Sequence, residues 1–237
     1  FVAALPVFVA GLLEDITKDI GASKRLLAAF LSAAIAWWLL GGVSRVGMAP
    51  VDYVLSFWPV SLLFTMFAVG GCTHALNIVD GMSGLAGMVA TLMAVSISLV
   101  ALQVGDVPIF LVAAALASAT LGFLVWNFPF GRVFLGDGGA YFLGFMLAEL
   151  AVLLVVRNPS VSPFYALAVL FYPVFETGFR SGAGASSAAC PWTSRMRCTC
   201  TSWCSAVWCG SRSAAAGGMR CPRCAMRWPR LTCGCWP

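Results

Sequence analysis

The sequence predicts an all-α fold, a polytopic integral membrane helix bundle, and three observations carry that prediction. The chain is 61% hydrophobic and only 10% charged. Its mean hydropathy is +0.93. Its apolar residues come in long unbroken runs. A soluble domain needs a polar surface that this composition does not supply. A helix crosses the hydrocarbon layer with about 20 apolar residues, and in lipid only helices and closed barrels satisfy every backbone group. Barrel strands alternate in polarity, so continuous runs read as helices.

The runs place spans at 1–13, 26–41, 54–72, 84–104, 107–127, 139–156 and 162–178. The first is partial. The chain opens at Phe1 within an apolar run and lacks the charged front of a cleavable signal, so an amino-terminal piece is expected before it. Trp37, Trp38, Trp58 and Trp126 fall near span ends, where interfacial aromatics gather. Residues 1–179 therefore form a transmembrane core of about seven spans, and 180–237 form a tail of different composition.

Loops alternate sides by parity. One side receives 14–25, 73–83, 128–138 and the segment after 178, with Lys18, Lys24, Arg25 and Arg132. The other receives 42–53, 105–106 and 157–161, with only Arg45 and Arg157. The excess of positive charge marks the first side as cytoplasmic. Glu14, Asp15, Asp19, Asp80 and Asp137 all fall on that side. Three separate loops thus bring carboxylates to one face of one bundle, which is the geometry of a shared cation site.

Two stretches stand out among the apolar runs: "ALNIVDGMSGLAG", residues 75–87, and "FLGDGGAYFLG", residues 134–144. Mg²⁺ takes one or two carboxylates and completes its shell with water and substrate phosphates. Asp80 and Asp137 suit that role, and Gly81, Gly136, Gly138 and Gly139 let backbone approach a phosphate closely. The pair Glu14–Asp15, with Lys18, Lys24 and Arg25 nearby, suits a second anionic substrate. A metal-held diphosphate attacked by another phosphate is phosphoryl-transfer chemistry. Each fragment alone is an ordinary turn sequence; their placement on one side gives them weight.

The residues also carry a resemblance. N-I-V-D-G-M-S-G-L-A-G resembles the N-x-x-D-G-x-[DN]-G-L motif of the polyprenyl-phosphate N-acetylhexosamine-1-phosphate transferases. N-F-P-F-G-R-V-F-L-G-D-G-G-A resembles that family's N-x-x-P-x-x-x-F-x-G-D-x-G-[SA] element, and L-L-E-D-I-T-K its first acidic pair. The three occur in family order over residues 1–179. The family includes the transferase of peptidoglycan lipid I synthesis and those that start O-antigen, enterobacterial common antigen and teichoic acid chains.

The resemblance implies a multi-pass enzyme of roughly ten or eleven helices in the bacterial inner (plasma) membrane, with a cytoplasmic active site. It implies transfer of a sugar-1-phosphate from a UDP-sugar to polyprenyl phosphate, releasing UMP, with Mg²⁺ as cofactor and Mn²⁺ as a substitute. The implied partners are the two substrates and membrane lipid, with room for a homodimer and no nucleic acid. By position, Asp137 is the principal metal ligand, with Asn77 and Asp80 beside it. Gly81, Met82 and Ser83 line the uridine pocket, with Asn127 and Phe134, the base-stacking aromatic. Glu14 and Asp15 match the pair that deprotonates or positions the lipid phosphate. Two departures are visible: Glu14 stands where Asp is usual, and Ser83 where Asp or Asn is usual.

The rival reading is a fragment of a secondary transporter or cation channel with acids lining a pathway. Such sites tend to lie near the bilayer midplane, and these acids cluster at one face. Among the remaining residues, His74 reads as a helix-end residue, Asp19, Asp52 and Asp106 as solvated loop acids, and Lys24 and Arg25 as topology anchors, with a role in binding lipid phosphate as the alternative. Glu149 is an intramembrane acid that pairs with a neighbouring helix or has a function of its own; the family motif does not include it, and it stands outside the site.

The tail breaks the pattern. Residues 180–237 hold eight Arg and no acid, and nine of the ten cysteines. The family's last loop carries an H-x-H signature, but the chain's one histidine is His74. A metal- or disulfide-bearing domain is one reading, suggested by Cys221-Pro-Arg-Cys224. The favoured reading is a reading-frame shift: taken from each codon's third base, "SRMRCTCTSWC", residues 194–204, admits "PDALHLHQLV". On that reading the cysteines are accidental, the basic charge identifies no partner, the tail is expected to be disordered, and the chain as written is expected to lack activity.

Overall fold

Proline and glycine set most of the helix boundaries. The computed structural model describes residues 1–17, 21–80, 84–129 and 131–187. A short 3₁₀ turn, Val2–Ala4, leads into α1 (Leu5–Thr17), α2 (Ala22–Leu40), α3 (Ala49–Leu55), α4 (Trp58–Val79), α5 (Leu85–Val104), α6 (Val107–Asn127), α7 (Gly136–Arg157) and α8 (Pro163–Ser187). No strand occurs among the described residues. The readings placed on the tail fall, from residue 188 on, outside them.

Five helices are long and apolar enough to cross a membrane: α2, α4, α5, α6 and α7. The apolar part of α8, Pro163–Phe179, is shorter, and α1 has 13 residues. The perimeter is greasy. Trp38, Phe67, Leu92 and Val125 are each at least 70% exposed, which inverts the pattern of a soluble protein and matches a lipid-facing surface. The chain is an all-α polytopic membrane protein, as the composition predicts.

The α5–α6 boundaries fall within a residue of expectation. Gly105 adopts φ 77° after the last turn of α5, a left-handed cap that glycine tolerates. Asp106 caps α6, accepting from the Ile109 N–H at 3.4 Å, with Pro108 in the first turn. Other ends move. The expected span 54–72 is two helices: α3 ends at Leu55 and α4 begins at Trp58, with Pro59 in its first turn. Proline has no N–H and crowds a preceding turn, so it starts a helix rather than continuing one.

α4 also runs seven residues past its expected end at 72, to Val79. Thr73 permits this because its hydroxyl donates to the Val69 carbonyl at 2.6 Å, satisfying itself within the helix. Similarly, α1 reaches Thr17 and α7 starts at Gly136. Glu14, Asp15, Asn77 and Asp137 therefore stand on helices, not in loops.

α7 is the axis of the bundle. About 78% of its span is buried, against 22–50% for the other four long helices, and it touches α1, α2, α4, α5 and α6. Small residues let its neighbours come close. A Cβ on Gly11 would lie 2.7 Å from the Gly138 Cα, and one on Gly144 would lie 2.9 Å from the Thr73 Cα. Buried hydroxyls tie helices together: Thr91 to Thr120 at 2.9 Å between α5 and α6, and the Val7 N–H to Ser32 at 3.0 Å between α1 and α2.

Asp106 corrects an expectation. It is only 8% exposed, pairs with Arg157 Nε at 3.3 Å and accepts from Asn158 Nδ2 at 3.1 Å. It is a buried cap, not a solvated loop acid. Asp52 likewise accepts from the Val46 and Gly47 N–H groups at 2.6 and 3.2 Å, folding the loop before α3.

Candidate active site

The start of α7 is where the motif residues meet. Gly136 takes φ 70° there, and a Cβ on it would lie 2.8 Å from Asp15 Oδ2. Conformation and space both require glycine. The first N–H groups of a helix have no partner within it. Asp15 supplies one from α1, accepting from the Asp137 N–H at 2.8 Å and the Gly138 N–H at 2.9 Å. A carboxylate at this end also complements the helix dipole. Asp15 thus sets the position of Asp137.

Asp137, in the first turn, is held through both oxygens. Asn77 Nδ2, on the last turn of α4, donates to Oδ1 at 3.3 Å. Arg25, in the first turn of α2, donates through Nη1 to Oδ2 in a short ion pair. The Arg25 side chain is 19% exposed and that of Asp137 34%. Asp80 follows the last residue of α4, its N–H donating to the Leu76 carbonyl at 3.2 Å. Burial, reinforced by the neighbouring Asp137 carboxylate, pushes its carboxyl up from 3.8 to about 6. Asp80 therefore stands in a partly dry space beside a second carboxylate.

Tyr141 lies one turn beyond Asp137 and is 2% exposed. The Arg25 guanidinium carbon stands 5.9 Å from its ring centroid. Its hydroxyl meets His74 Nδ1 at 3.2 Å, with the rings edge-to-face at 5.0 Å. His74 and Asn77 are three residues apart on α4, and Asp137 and Tyr141 four apart on α7, so each pair shares a helix face.

The structure gathers Asp15, Asn77, Asp80 and Asp137 at one end of the bundle, from three helices. Glu14 is half-buried at the same end of α1. Asn127 closes α6, 5% exposed, and spends its amide nitrogen on the Val133 carbonyl at 2.6 Å, bracing the next loop. Phe134, in that loop, is 74% exposed. Gly81, Met82 and Ser83 lie outside the described residues, as do Lys18 and Asp19. Gly84, which follows them, packs against the Phe128 ring, where a Cβ would lie 2.9 Å away, so the start of α5 adjoins the end of α6.

The reading of the residues as a set missed Arg25, His74 and Tyr141. Arg25, expected as a topology anchor or a neighbour of the second anionic substrate, is instead the direct partner of Asp137. The i, i+3 and i, i+4 spacings were legible signals for the other two. Glu149, expected to pair with a neighbouring helix, is 5% exposed, and neither of its oxygens has a hydrogen-bond partner among the described residues.

The donor set suits a hydrated divalent cation. Asp80 and Asp137 are the one or two carboxylates such an ion uses, and their mutual repulsion is what a cation would relieve. Among the described residues no cluster of three or more His, Cys, Asp or Glu forms a closed metal cage. An open site that leaves coordination positions to water and phosphate is the arrangement consistent with both observations.

The sequence is similar to those of known proteins. The chain is 28% identical over 191 residues to a probable undecaprenyl-phosphate N-acetylglucosaminyl 1-phosphate transferase of Bacillus subtilis, covering 75% of the chain and 50% of that protein. It is 32% identical over 155 residues to a phospho-N-acetylmuramoyl-pentapeptide-transferase of Streptococcus pyogenes, covering 62% and 46%. It is 36% identical over 131 residues to a protein of that same name from Moorella thermoacetica, covering 55% and 40%. The chain spans about half the length of the curated relatives it matches. The family model described as glycosyl transferase family 4 matches residues 1–155, which hold Asp15, Asn77, Asp80 and Asp137 together. The chain belongs to glycosyl transferase family 4.

Proposed function

We propose that the protein to which this chain belongs transfers a sugar-1-phosphate, in the form of an N-acetylhexosamine-1-phosphate, from a UDP-sugar to polyprenyl phosphate. The reaction starts a lipid-linked cell-envelope glycan. The convergence of α1, α4 and α7 on Asp137 is the observation that carries this reading. An oxygen of the lipid phosphate attacks the β-phosphorus of the UDP-sugar, the bond from that phosphorus to the bridging oxygen breaks, and UMP leaves. The product is a polyprenyl diphospho-sugar.

Asp137, with Asp80 beside it, is the place for Mg²⁺ or Mn²⁺. When bound, the ion would neutralise the diphosphate charge that otherwise repels the incoming phosphate. The chain's own residues do the positioning. Asp15 fixes the first turn of α7 through two amides, and Asn77 orients the Asp137 carboxylate. Glu14 is the acid that places the lipid phosphate, and Asn127 and Phe134 border the uridine subsite. The site faces the cytoplasm in this scheme, where UDP-sugars are made, and the membrane is the bacterial inner membrane.

A radiolabelled UDP-N-acetylhexosamine incubated with polyprenyl phosphate in membranes containing the protein, its reading frame after residue 179 restored, should yield a lipid-extractable product and UMP. Asp137→Asn should abolish both. Turnover retained in that variant would falsify the scheme. Ion flux through reconstituted vesicles without any lipid-linked product would favour the transporter reading instead, in which Glu149 rather than Asp137 would be the residue that matters.

A further inference from the structure

Arg25 is the charged residue of the site that the scheme above leaves without a task. Its Nη1 engages Asp137 Oδ2 while Asn77 engages Oδ1. Both oxygens of the carboxylate best suited to a divalent cation are thereby taken by side chains of the protein. Arg25 is itself unsatisfied. Its buried Nε has no hydrogen-bond partner among the described residues. A guanidinium carries five N–H donors in a rigid fork matched to carboxylate and phosphate oxygens, so its bond to Asp137 leaves capacity for a second anion.

The mounting of Arg25 is as specific as its partner. Its guanidinium lies by the Tyr141 ring, and Tyr141 is braced by His74. This support holds the charge near Asp137. A guanidinium and a dication on one carboxylate repel each other at contact distance, so the two cannot both hold Asp137 tightly. A diphosphate beside Asp137 offers the guanidinium an alternative anion.

Resting on the reading of Asp137 as the cation's ligand, we propose that Arg25 is an internal counter-ion that competes with the divalent cation for Asp137 and passes to a phosphate of the incoming nucleoside diphosphate. Cation and nucleotide then bind cooperatively, and by linkage each tightens the other by the same factor. Arg25 is a positioning residue here. It makes cation binding weak until the diphosphate arrives.

The test measures Mn²⁺ affinity by electron paramagnetic resonance on the purified full chain in detergent, with and without UDP, correcting for Mn–UDP formed in solution. Without UDP, Arg25→Gln should bind Mn²⁺ at least about threefold tighter than the parent, the scale of a part-exposed ion pair. UDP should tighten Mn²⁺ binding in the parent and have little such effect in Arg25→Gln. Arg25→Lys, which keeps the charge but not the fork, should match the parent without UDP and show weaker coupling with it. Should Asp137→Asn lose Mn²⁺ binding while Arg25→Gln binds it no tighter than the parent, this proposal fails alone. Should Asp137→Asn bind Mn²⁺ as well as the parent, the reading of Asp137 fails and takes this proposal with it.

Discussion

α7 carries an acid–arginine pair at each end, and the two pairs behave differently. At its C-terminal end Arg157 stands in the last turn and pairs with Asp106, which caps α6. Both charges complement their own helix dipoles, and Asp106 has three donors around it. At the N-terminal end Arg25 pairs with Asp137, but Asp15 and Asp80 stand in the same space. One end is balanced and holds the bundle together. The other brings Asp15, Asp80 and Asp137 to one end, where burial first and the Asp137 carboxylate second raise the Asp80 carboxyl, and carboxylates held in place are what a cation-dependent site requires.

Exchanging the acid at each end should separate the two roles, and the largest effect is expected at the N-terminal end. Asp137→Asn should lower the rate of lipid-linked product formation by about 10³-fold or more in the assay proposed above, with little change in thermal midpoint in detergent. Asp106→Asn should do the reverse, leaving the rate within a few-fold. A rate loss in Asp106→Asn as large as in Asp137→Asn would erase the distinction between the ends.

The second effect concerns how α1 reaches the N-terminal end. Gly11→Ala places a methyl against the Gly138 backbone. It should push Asp15 from the α7 amides, cutting the rate at least about tenfold, since an ångström of misplacement is felt that strongly. Helix content by circular dichroism should stay unchanged.

The third effect is the stability cost of breaking the balanced end. Asp106→Ala removes a helix cap and leaves Arg157 without its carboxylate, and about 2 kcal/mol of stability should be lost. A denaturant titration in micelles reads it.

The smallest effect is a pH dependence confined to the charged end. The Asp80 carboxyl is raised to about 6 in the fold from 3.8, so between those values the folded state binds more protons than the unfolded one. Stability therefore falls as pH rises through that window and levels off above it. Solvent screening reduces the amount to about 1 kcal/mol. Asp80→Asn should flatten the curve between pH 4 and 7 when no divalent ion is added, and a slope equal to the parent's would show that Asp80 is not the group responsible.

The parity of the spans was enough to put Asp15, Asp80 and Asp137 at one end, because a helix in lipid can only exit on one side or the other. Neither Arg25 nor the His74–Tyr141 pair was legible in that way. A cation at a span end has a topological explanation already, and nothing in the chain order reveals that α2 brings Arg25 against α7. Helix ends were misjudged where polar residues satisfied themselves inside the helix, as Thr73 does, since hydropathy counts the hydroxyl as a cost that the local hydrogen bond has removed.

Composition and order alone determined the class of molecule, the place of five of the seven expected spans, and the gathering of the acids at one end. Those follow from the solvent, because lipid accepts only chains whose backbone groups are satisfied within each segment. The tertiary structure alone decided that Asp15 spends its oxygens on α7, that Arg25 and Asn77 hold Asp137, and that Asp106 is buried. Contacts such as Gly11 on Gly138 depend on ångström-scale approach between helices distant in the chain, and no local pattern encodes that distance.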